Sequence, residues 1–292
     1  MEAQEVFALA CVAELSYLVW TGQLKYDDKG NTVHKAALVV NDPTSLRIDC
    51  IAQAFNIPVF RSEVGEANVV SLARKLREDG YMVRILGEGS NGGNITHPAA
   101  VRDPLNTLGA LIKLLTIRAK DNKKGLFEIW SHFSGQAESY HRDFKLSDII
   151  ASLPSYTTTG SYSKEATLKI NSPDHGLLKD RYQRIFLRNW EARKEELGLK
   201  YGIVNWDACI YNGIEEKKNI RNFREAGWGG LKIHFLDSMS RKIACIWMRG
   251  SGTEPVFRIM ADAEGKDPHF ERDLIEWQTA MIIQADKNSD II

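Results

Sequence analysis

Between residues 36 and 86, three short apolar segments alternate with two helical repeats, and this alternation constrains the fold more than any other feature of the chain. The segments are Ala36–Val40, Pro58–Arg61 and Met82–Leu86. The first helical repeat carries Ile48, Ile51, Ala52 and Phe55. The second carries Val69, Leu72, Ala73 and Leu76 and stops at Gly80, a residue suited to the left-handed position just past a helix end. A β-α-β-α-β order predicts an α/β three-layer domain whose mixed, mostly parallel sheet is covered by helices. Ahead of it, Val6, Leu9, Ala10, Ala13, Tyr17 and Trp20 predict an amphipathic helix over 2–20, followed by a polar turn at 25–31. Behind it, Asp103-Pro104 opens another helix as an N-cap and a first-turn proline, with an apolar stripe of Leu105, Leu108, Leu111, Ile112 and Leu115. Residues 119–144 have weak periodicity and are assigned no element.

Near residue 153 the composition changes. LPSYTTTGSYSKEA at 153–166 is rich in Ser, Thr, Tyr and Gly and reads as the start of a linker. Beyond a helix at about 179–197 the chain becomes strand-rich, with Ile203–Tyr211, Leu231–Leu236, Ile243–Met248 and Val256–Ala261, and a closing helix covers Pro268–Ala285. Strands close in sequence and followed by a helix predict a small α+β domain with an antiparallel sheet. The expected division is a first domain over 1–152, a linker over 153–178 and a C-terminal domain over 179–292. A chain of 292 residues accommodates two ordinary domains.

Composition removes several function classes. Lys+Arg and Asp+Glu both number 38, so no basic surplus points to nucleic acid, and charge recognition must be local. Apolar residues make up 43%, enough for a real core. Cys11, Cys50, Cys209 and Cys245 lie far apart in apolar stretches without a C-x-x-C pair, the pattern of buried free thiols in a reducing compartment. The first residues are acidic where a signal peptide is basic, and no apolar run approaches the ~20 residues of a membrane span. The expectation is a cytoplasmic protein.

Two glycine-rich segments carry the chemistry. RGSGTEPVFR, from Arg249 to Arg258, places two glycines, two hydroxyls and an arginine between strands, with a second arginine on the returning strand. Gly250 and Gly252 let backbone N–H groups converge on an anion, and Ser251 and Thr253 add hydroxyl donors. Arg249 and Arg258 each offer a bidentate fork to phosphate oxygens. The competing reading is a hairpin turn with solvated arginines. No G-K-[ST] follows, so this is not a Walker A loop.

The second segment is GEGSNGG at 87–93, directly after a strand. Gly87, Gly89 and Gly92 match G-x-G-x-x-G, but a dinucleotide site needs a helix at once. Here residues 94–98 continue as loop, and Glu88 sets a negative charge where a diphosphate would lie. A carboxylate and Ser90 suit a ligand rich in hydroxyls. A tight surface loop is the alternative, although the carboxyl end of a parallel strand favours ligand contact. His97, Asp103, His132 and His141 match no metal spacing and read as solvated loop residues. Arg61 to Glu66 lies on the same rim, with Ser62 as a buried cap.

These two segments, in this order, resemble the phosphohexomutase family. Arg249-Gly250-Ser251-Gly252-Thr253-Glu254-Pro255 is similar to the phosphate-binding loop of the last domain of phosphoglucomutases and phosphomannomutases. Gly87-Glu88-Gly89-Ser90 resembles the sugar-recognition loop of their third domain, usually written G-E-E-S-G. The stretch from Val39 to Val70 follows the third-domain pattern, Asp103 stands where the family opens a helix, and 144–156 is similar to the approach to its interdomain linker. The resemblance implies that Arg249, Gly250, Ser251, Gly252 and Thr253, supported by Arg258, hold the non-reacting phosphate of a hexose phosphate, while Glu88 and Ser90 hold its hydroxyls. Gly89 departs from the usual glutamate, and Glu66-Ala67 stands where many relatives carry a basic or aromatic residue; both bear on which hexose is bound. In the family a phosphoserine and a magnesium ion on a D-G-D loop move phosphate between sugar positions 1 and 6. Neither a T-A-S-H-N-P-like stretch nor D-G-D occurs here. The expectation is the C-terminal half of such an enzyme, without catalytic or metal residues, inactive alone and completed by an N-terminal half. Rival expectations are a stand-alone sugar-phosphate binding module and a remnant of a split gene.

Overall fold

The structure is a computed structural model that describes every residue except 252, 253, 255 and 288–292. The chain forms two compact units, Met1–Pro154 and Ser155–Ile292.

The first unit runs α1 (Ala3–Trp20), β1 (Leu38–Asn41), α2 (Arg47–Ala54), β2 (Val59–Ser62), α3 (Glu66–Glu78), β3 (Ile85–Glu88), β4 (Gly93–Thr96), α4 (Pro104–Thr116), α5 (Leu126–Phe133) and α6 (Leu146–Ala151). Its sheet has the order β2-β1-β3-β4. β1 pairs in parallel with both β2 and β3, and β4 closes one edge antiparallel to β3. Alternation sends Leu38, Val40 and Ile85 into a core shared with α1, α2, α4, α5 and α6. Val39 and Leu86, register partners on the opposite face, lie on the side covered by α3. The expected three-layer α/β arrangement with a mixed, mostly parallel sheet is present.

Several expectations need correction. α1 is not amphipathic: every residue from Phe7 to Ser16 is buried. It is enclosed by α2, α4, α5 and α6 and by the β3–β4 hairpin. Its one buried acid, Glu14, is matched by Arg84 at 2.9 Å and by Lys113. Among the described residues α1 alone has the length and apolarity to cross a membrane, and two-thirds of it is buried inside the protein. Residues 94–98 do not continue as loop, because Gly93–Thr96 form β4. The α4 stripe holds in part: Leu111 and Leu115 pack half-buried against the core beside the fully buried Ala110 and Leu114, whereas Leu105, Leu108 and Ile112 are exposed. Within 119–144, α5 sends Phe127 and Trp130 inward, and the Trp130 Nε1–H donates to Ser152 Oγ at 2.9 Å.

The second unit runs β5 (Tyr156–Thr158), β6 (Thr167–Lys169), α7 (His175–Tyr201), β7 (Asn205–Asn212), β8 (Glu215–Lys217), β9 (Gly230–Leu236), β10 (Lys242–Gly250), β11 (Val256–Glu264) and α8 (Pro268–Lys287). The antiparallel sheet has the order β5-β11-β10-β9-β7-β8, with β6 also on β11. α7 and α8 pack their apolar sides on one face, over Ile210, Ile233, Phe235, Ile246, Phe257 and Ile259. The stretch 153–178, expected as a linker, is folded into this sheet. β5 lies on Asp262–Glu264 and β6 on Val256–Arg258. Its polar composition is that of an outer strand whose hydroxyls find acceptors, as the Thr158 hydroxyl does in donating to Asp262 Oδ1 at 2.5 Å. α7 begins earlier than expected, capped by the Asp174 carboxylate, which accepts from the Leu177 N–H at 2.9 Å.

Leu9→Ala in the enclosed helix is expected to cost about 2–5 kcal/mol of stability, whereas Leu105→Ser on α4 changes it by less than about 0.5 kcal/mol. Urea denaturation of the two variants checks both; equal losses would restore the stripe inferred from periodicity.

Candidate functional site

In the first unit the carboxyl ends of β1 and β3 lie side by side, and side chains from several turns meet there. β3 ends at Glu88 and reverses through a single 3-10 turn, Gly89–Asn91, with Gly92 at φ 72° before β4. Asn41 ends β1. The Glu88 side chain is buried, and its two oxygens serve four groups. Oε1 accepts from Asn41 Nδ2 at 3.2 Å and from the Gly65 N–H at 3.0 Å. Oε2 accepts from Asn91 Nδ2 at 3.2 Å and lies 3.4 Å from Arg102 Nη1. An ionised carboxylate has about four acceptor positions, so a ligand hydroxyl would have to displace one of these donors. Glu88 therefore holds the rim together as much as it faces outward. Ser90 is half-buried and its Oγ accepts from Asn41 Nδ2 at 3.3 Å.

The glycines of this loop are set by close approach. A Cβ on Gly89 would lie 2.4 Å from Gln4 Oε1 and 2.8 Å from Thr44 Cγ2, so any side chain there requires Gln4 and Thr44 to move. The Gly89 N–H donates to Thr44 Oγ1 at 3.0 Å, which in turn donates to Asn41 Oδ1 at 2.6 Å. Beside the loop a groove of about 590 Å³ is lined by Asn91, Asn94, Arg102, Thr107, Leu108 and other residues. Arg102, which bridges Glu66 at 2.6 Å and Glu88, is a polar group of this rim that motif reading passes over. Arg61 pairs with Asp49 through two nitrogens, at 2.8 and 2.7 Å. Ser62 is buried but caps no helix: its hydroxyl donates to the Glu63 carbonyl, and Gly65 is the N-cap of α3.

In the second unit the β10–β11 hairpin brings Arg249 and Arg258 directly opposite one another in register. Both sit on the face turned away from α7 and α8. Arg258 Nη1 donates to Thr167 Oγ1, and its Nη2 lies 3.9 Å from Glu254. The Ser251 N–H closes the turn on the Val256 carbonyl at 2.8 Å, so it is not one of the expected nest donors. Gly252 and Thr253 lie outside the described residues.

Gly250 has a specific reason to lack a side chain. A Cβ there would stand 1.8 Å from Nδ1 of His175, the first residue of α7. The His175 ring is buried between Trp228, at 3.9 Å between centroids, and Phe257, at 5.0 Å. Burial lowers its pKa, with Lys179 and Arg249 acting in the same direction and Asp174 against them, so it is neutral at pH 7. Lys179, fully buried, donates to the carbonyls of Gly227 and Gly229 at 2.9 and 2.5 Å, which fixes the turn between them. His175 and Lys179 support the hairpin and its neighbour from a helix that carries no recognisable motif.

His97, Asp103, His132 and His141 form no group of metal donors. Among the described residues only Asp207, Cys209 and His234 converge closely enough. Burial pushes the Cys209 thiol up to about 11 and the His234 imidazole down to about 4. Thiol and imidazole donors do not suit magnesium, which prefers oxygen ligands and retains several waters.

No protein-family model matches the chain, and no curated protein matches it. Among solved structures it is similar to the phosphoglucomutase parafusin from Paramecium, at 14% identity and a TM-score of 0.49, over 99% of this chain and 43% of that one. It is also similar to a putative phosphomannomutase from Thermus thermophilus, at 12% identity and a TM-score of 0.42, over 94% and 40%. A phosphoglucomutase/phosphomannomutase family protein from Burkholderia thailandensis aligns at 14% identity and a TM-score of 0.46, over 96% and 42%. The chain thus spans about two-fifths of the length of these structures.

Gly250→Ala is expected to destabilise the second unit by about 1–3 kcal/mol through overpacking on His175. Adding His175→Ala should remove part of that loss, as a double-mutant cycle followed by denaturation would reveal. A fully additive pair would mean that the two residues do not oppose each other.

Proposed function

We propose that this chain grips a hexose phosphate, with Arg249 and Arg258 on the phosphate and the Glu88–Ser90 loop on the sugar. The observation that carries the reading is the direct cross-strand pairing of the two arginines. Like charges opposite each other on one sheet face destabilise it. A dianion between two guanidinium forks converts that repulsion into charge-assisted hydrogen bonds. Glu254, an exposed acid, lies 3.9 Å from Arg258. The Ser251 N–H donates to the Val256 carbonyl at 2.8 Å and ties the two strands together next to the arginines. In the first unit Ser90 is the half-exposed hydroxyl of a rim already ordered by Glu88, Asn41 and Arg102.

The resemblance of both segments to phosphohexomutases supports a place in a cytoplasmic, magnesium-dependent enzyme that moves phosphate between sugar positions 1 and 6. In that setting this chain binds and orients the substrate. The phosphoryl carrier and the magnesium ligands belong to segments that these residues do not include.

Calorimetry with glucose 6-phosphate and with inorganic phosphate tests the reading. Arg249→Ala should weaken both ligands by about 1.5–3 kcal/mol, the range for a hydrogen bond to a charged group. Unchanged affinity in that variant would remove the hairpin from the site. Ser90→Ala should weaken the sugar phosphate several-fold and leave inorganic phosphate unaffected; an equal loss for both would take the sugar away from this loop.

A further inference from the structure

We infer a second ligand site, independent of the sugar-phosphate reading: Asp207, Cys209 and His234 form a binding site for a borderline-soft divalent cation such as zinc or cobalt(II). The three residues come from two adjacent antiparallel strands. Asp207 and His234 are register partners across β7 and β9, and Cys209 is the next residue of β7 on the same face. Asp207 Oδ1 lies 2.7 Å from His234 Nδ1, and Cys209 Sγ lies 4.0 Å from that same nitrogen. All three donor atoms fall within 4.8 Å of one another.

That geometry separates a cation site from its alternatives. In a thiol–imidazole–carboxylate relay, the thiol and the acid engage opposite ring nitrogens, so that one orients what the other activates. Here both address Nδ1, and no relay is possible. A buried hydrogen bond between Asp207 and His234 explains two of the atoms and leaves the thiol unexplained. Around a tetrahedral zinc with bonds of about 2.0–2.3 Å, donor atoms stand roughly 3.3–3.6 Å apart. The observed 2.7 and 4.0 Å bracket that spacing. Opening the first distance by about 0.6 Å and closing the second by about 0.4 Å, within the reach of rotamers on a fixed sheet, would bring the donors to that spacing.

The surroundings suit a semi-open site. His234 is buried, and the Asp207 side chain is 24% exposed, which leaves a route for the ion and for a water as fourth ligand. Cys245 stands opposite His234 on the next strand and places a further sulfur in the same row. Lys232, opposite Cys209, and the nearby Lys242 add positive charge. Both oppose a bare cation, and the Asp207 carboxylate and the thiolate formed on binding offset them. On binding, Cys209 releases its proton to solvent and bonds as thiolate. His234 shifts its proton to Nε2 so that Nδ1 donates its lone pair, and Asp207 exchanges a hydrogen bond for a metal bond. One proton leaves for each ion bound.

Titration of the purified, tag-free chain with cobalt(II), followed by visible and near-ultraviolet absorption, tests the site. The expected result is one cobalt per chain, with a thiolate-to-cobalt charge-transfer band and the strong d–d absorption of four-coordinate cobalt. Zinc should remove both signals, and a thousandfold excess of magnesium should not. Cys209→Ser should abolish the charge-transfer band, and Asp207→Asn should weaken binding by at least tenfold, with unchanged circular dichroism certifying the fold of each. A parent chain without the band, or a band that persists in Cys209→Ser, overturns the inference and leaves the arginine hairpin untouched.

Discussion

The first unit depends on a helix with no wet side. α1 buries an unbroken run from Phe7 to Ser16, and the other elements of the unit gather around it. A charge buried in such a helix needs a partner. The single acid in that run, Glu14, is held between Arg84 from the approach to β3 and Lys113 from α4. At its amino end Gln4 donates to the Pro43 carbonyl and accepts from the Ser45 N–H, so the same helix fixes the loop after β1. That loop supplies Thr44, which holds the Gly89 turn. Packing in the core is thus continuous with the placement of the polar rim around Glu88.

The second unit divides its chemistry between the two faces of one sheet. The face under α7 and α8 is apolar from Ala208 to Ala263. The opposite face presents Asp207, Cys209, Lys232, His234, Cys245, Asp262 and, at one end, Arg249 and Arg258, by the alternation of paired strands. A row of charged and metal-type side chains on a sheet demands mutual satisfaction, because each one buried alone would be costly. His234 meets Asp207, and Thr158 meets Asp262, within that row. One face forms the core of the unit, and the other carries these polar groups together with Tyr211, Trp247 and Met260.

Much of this was legible in the sequence because period and punctuation are local. The β-α-β-α-β order, Gly80 as the end of α3, Asp103 as the cap of α4 and the strands of the second half all follow from residues within one turn or one strand. Phase and environment are not local. Leu105, Leu108 and Ile112 keep helical spacing, yet Ala110 and Leu114 are inside, because the choice depends on where α1 and α5 lie. α1 reads as one-sided for the same reason. The Thr-rich 153–178 stretch looks like a connector because outer strands need no apolar alternation. Of the site, the two glycine-rich loops could be found by eye. The clash that keeps Gly250 bare, the anchoring by Lys179 and the meeting of residues 207, 209 and 234 required the register of three strands and a helix.

The folding of that supposed connector onto β11 has a consequence for how copies of the protein meet. A nine-residue strand at the margin of a sheet is a template on which a second chain can add. Here β6 takes Val256–Arg258 and β5 takes Asp262–Glu264. Between them Thr159 occupies both backbone groups of Ala261, its N–H donating to the carbonyl and its hydroxyl accepting from the N–H. At the opposite margin β8, two glutamates and a lysine, covers Ile210–Asn212 of β7, and the Ile220 N–H donates to the Ala208 carbonyl. The β11 side of the sheet therefore ends in short, polar strands, a form that resists edge-to-edge growth and discourages this half of the chain from swapping strands with its neighbours there.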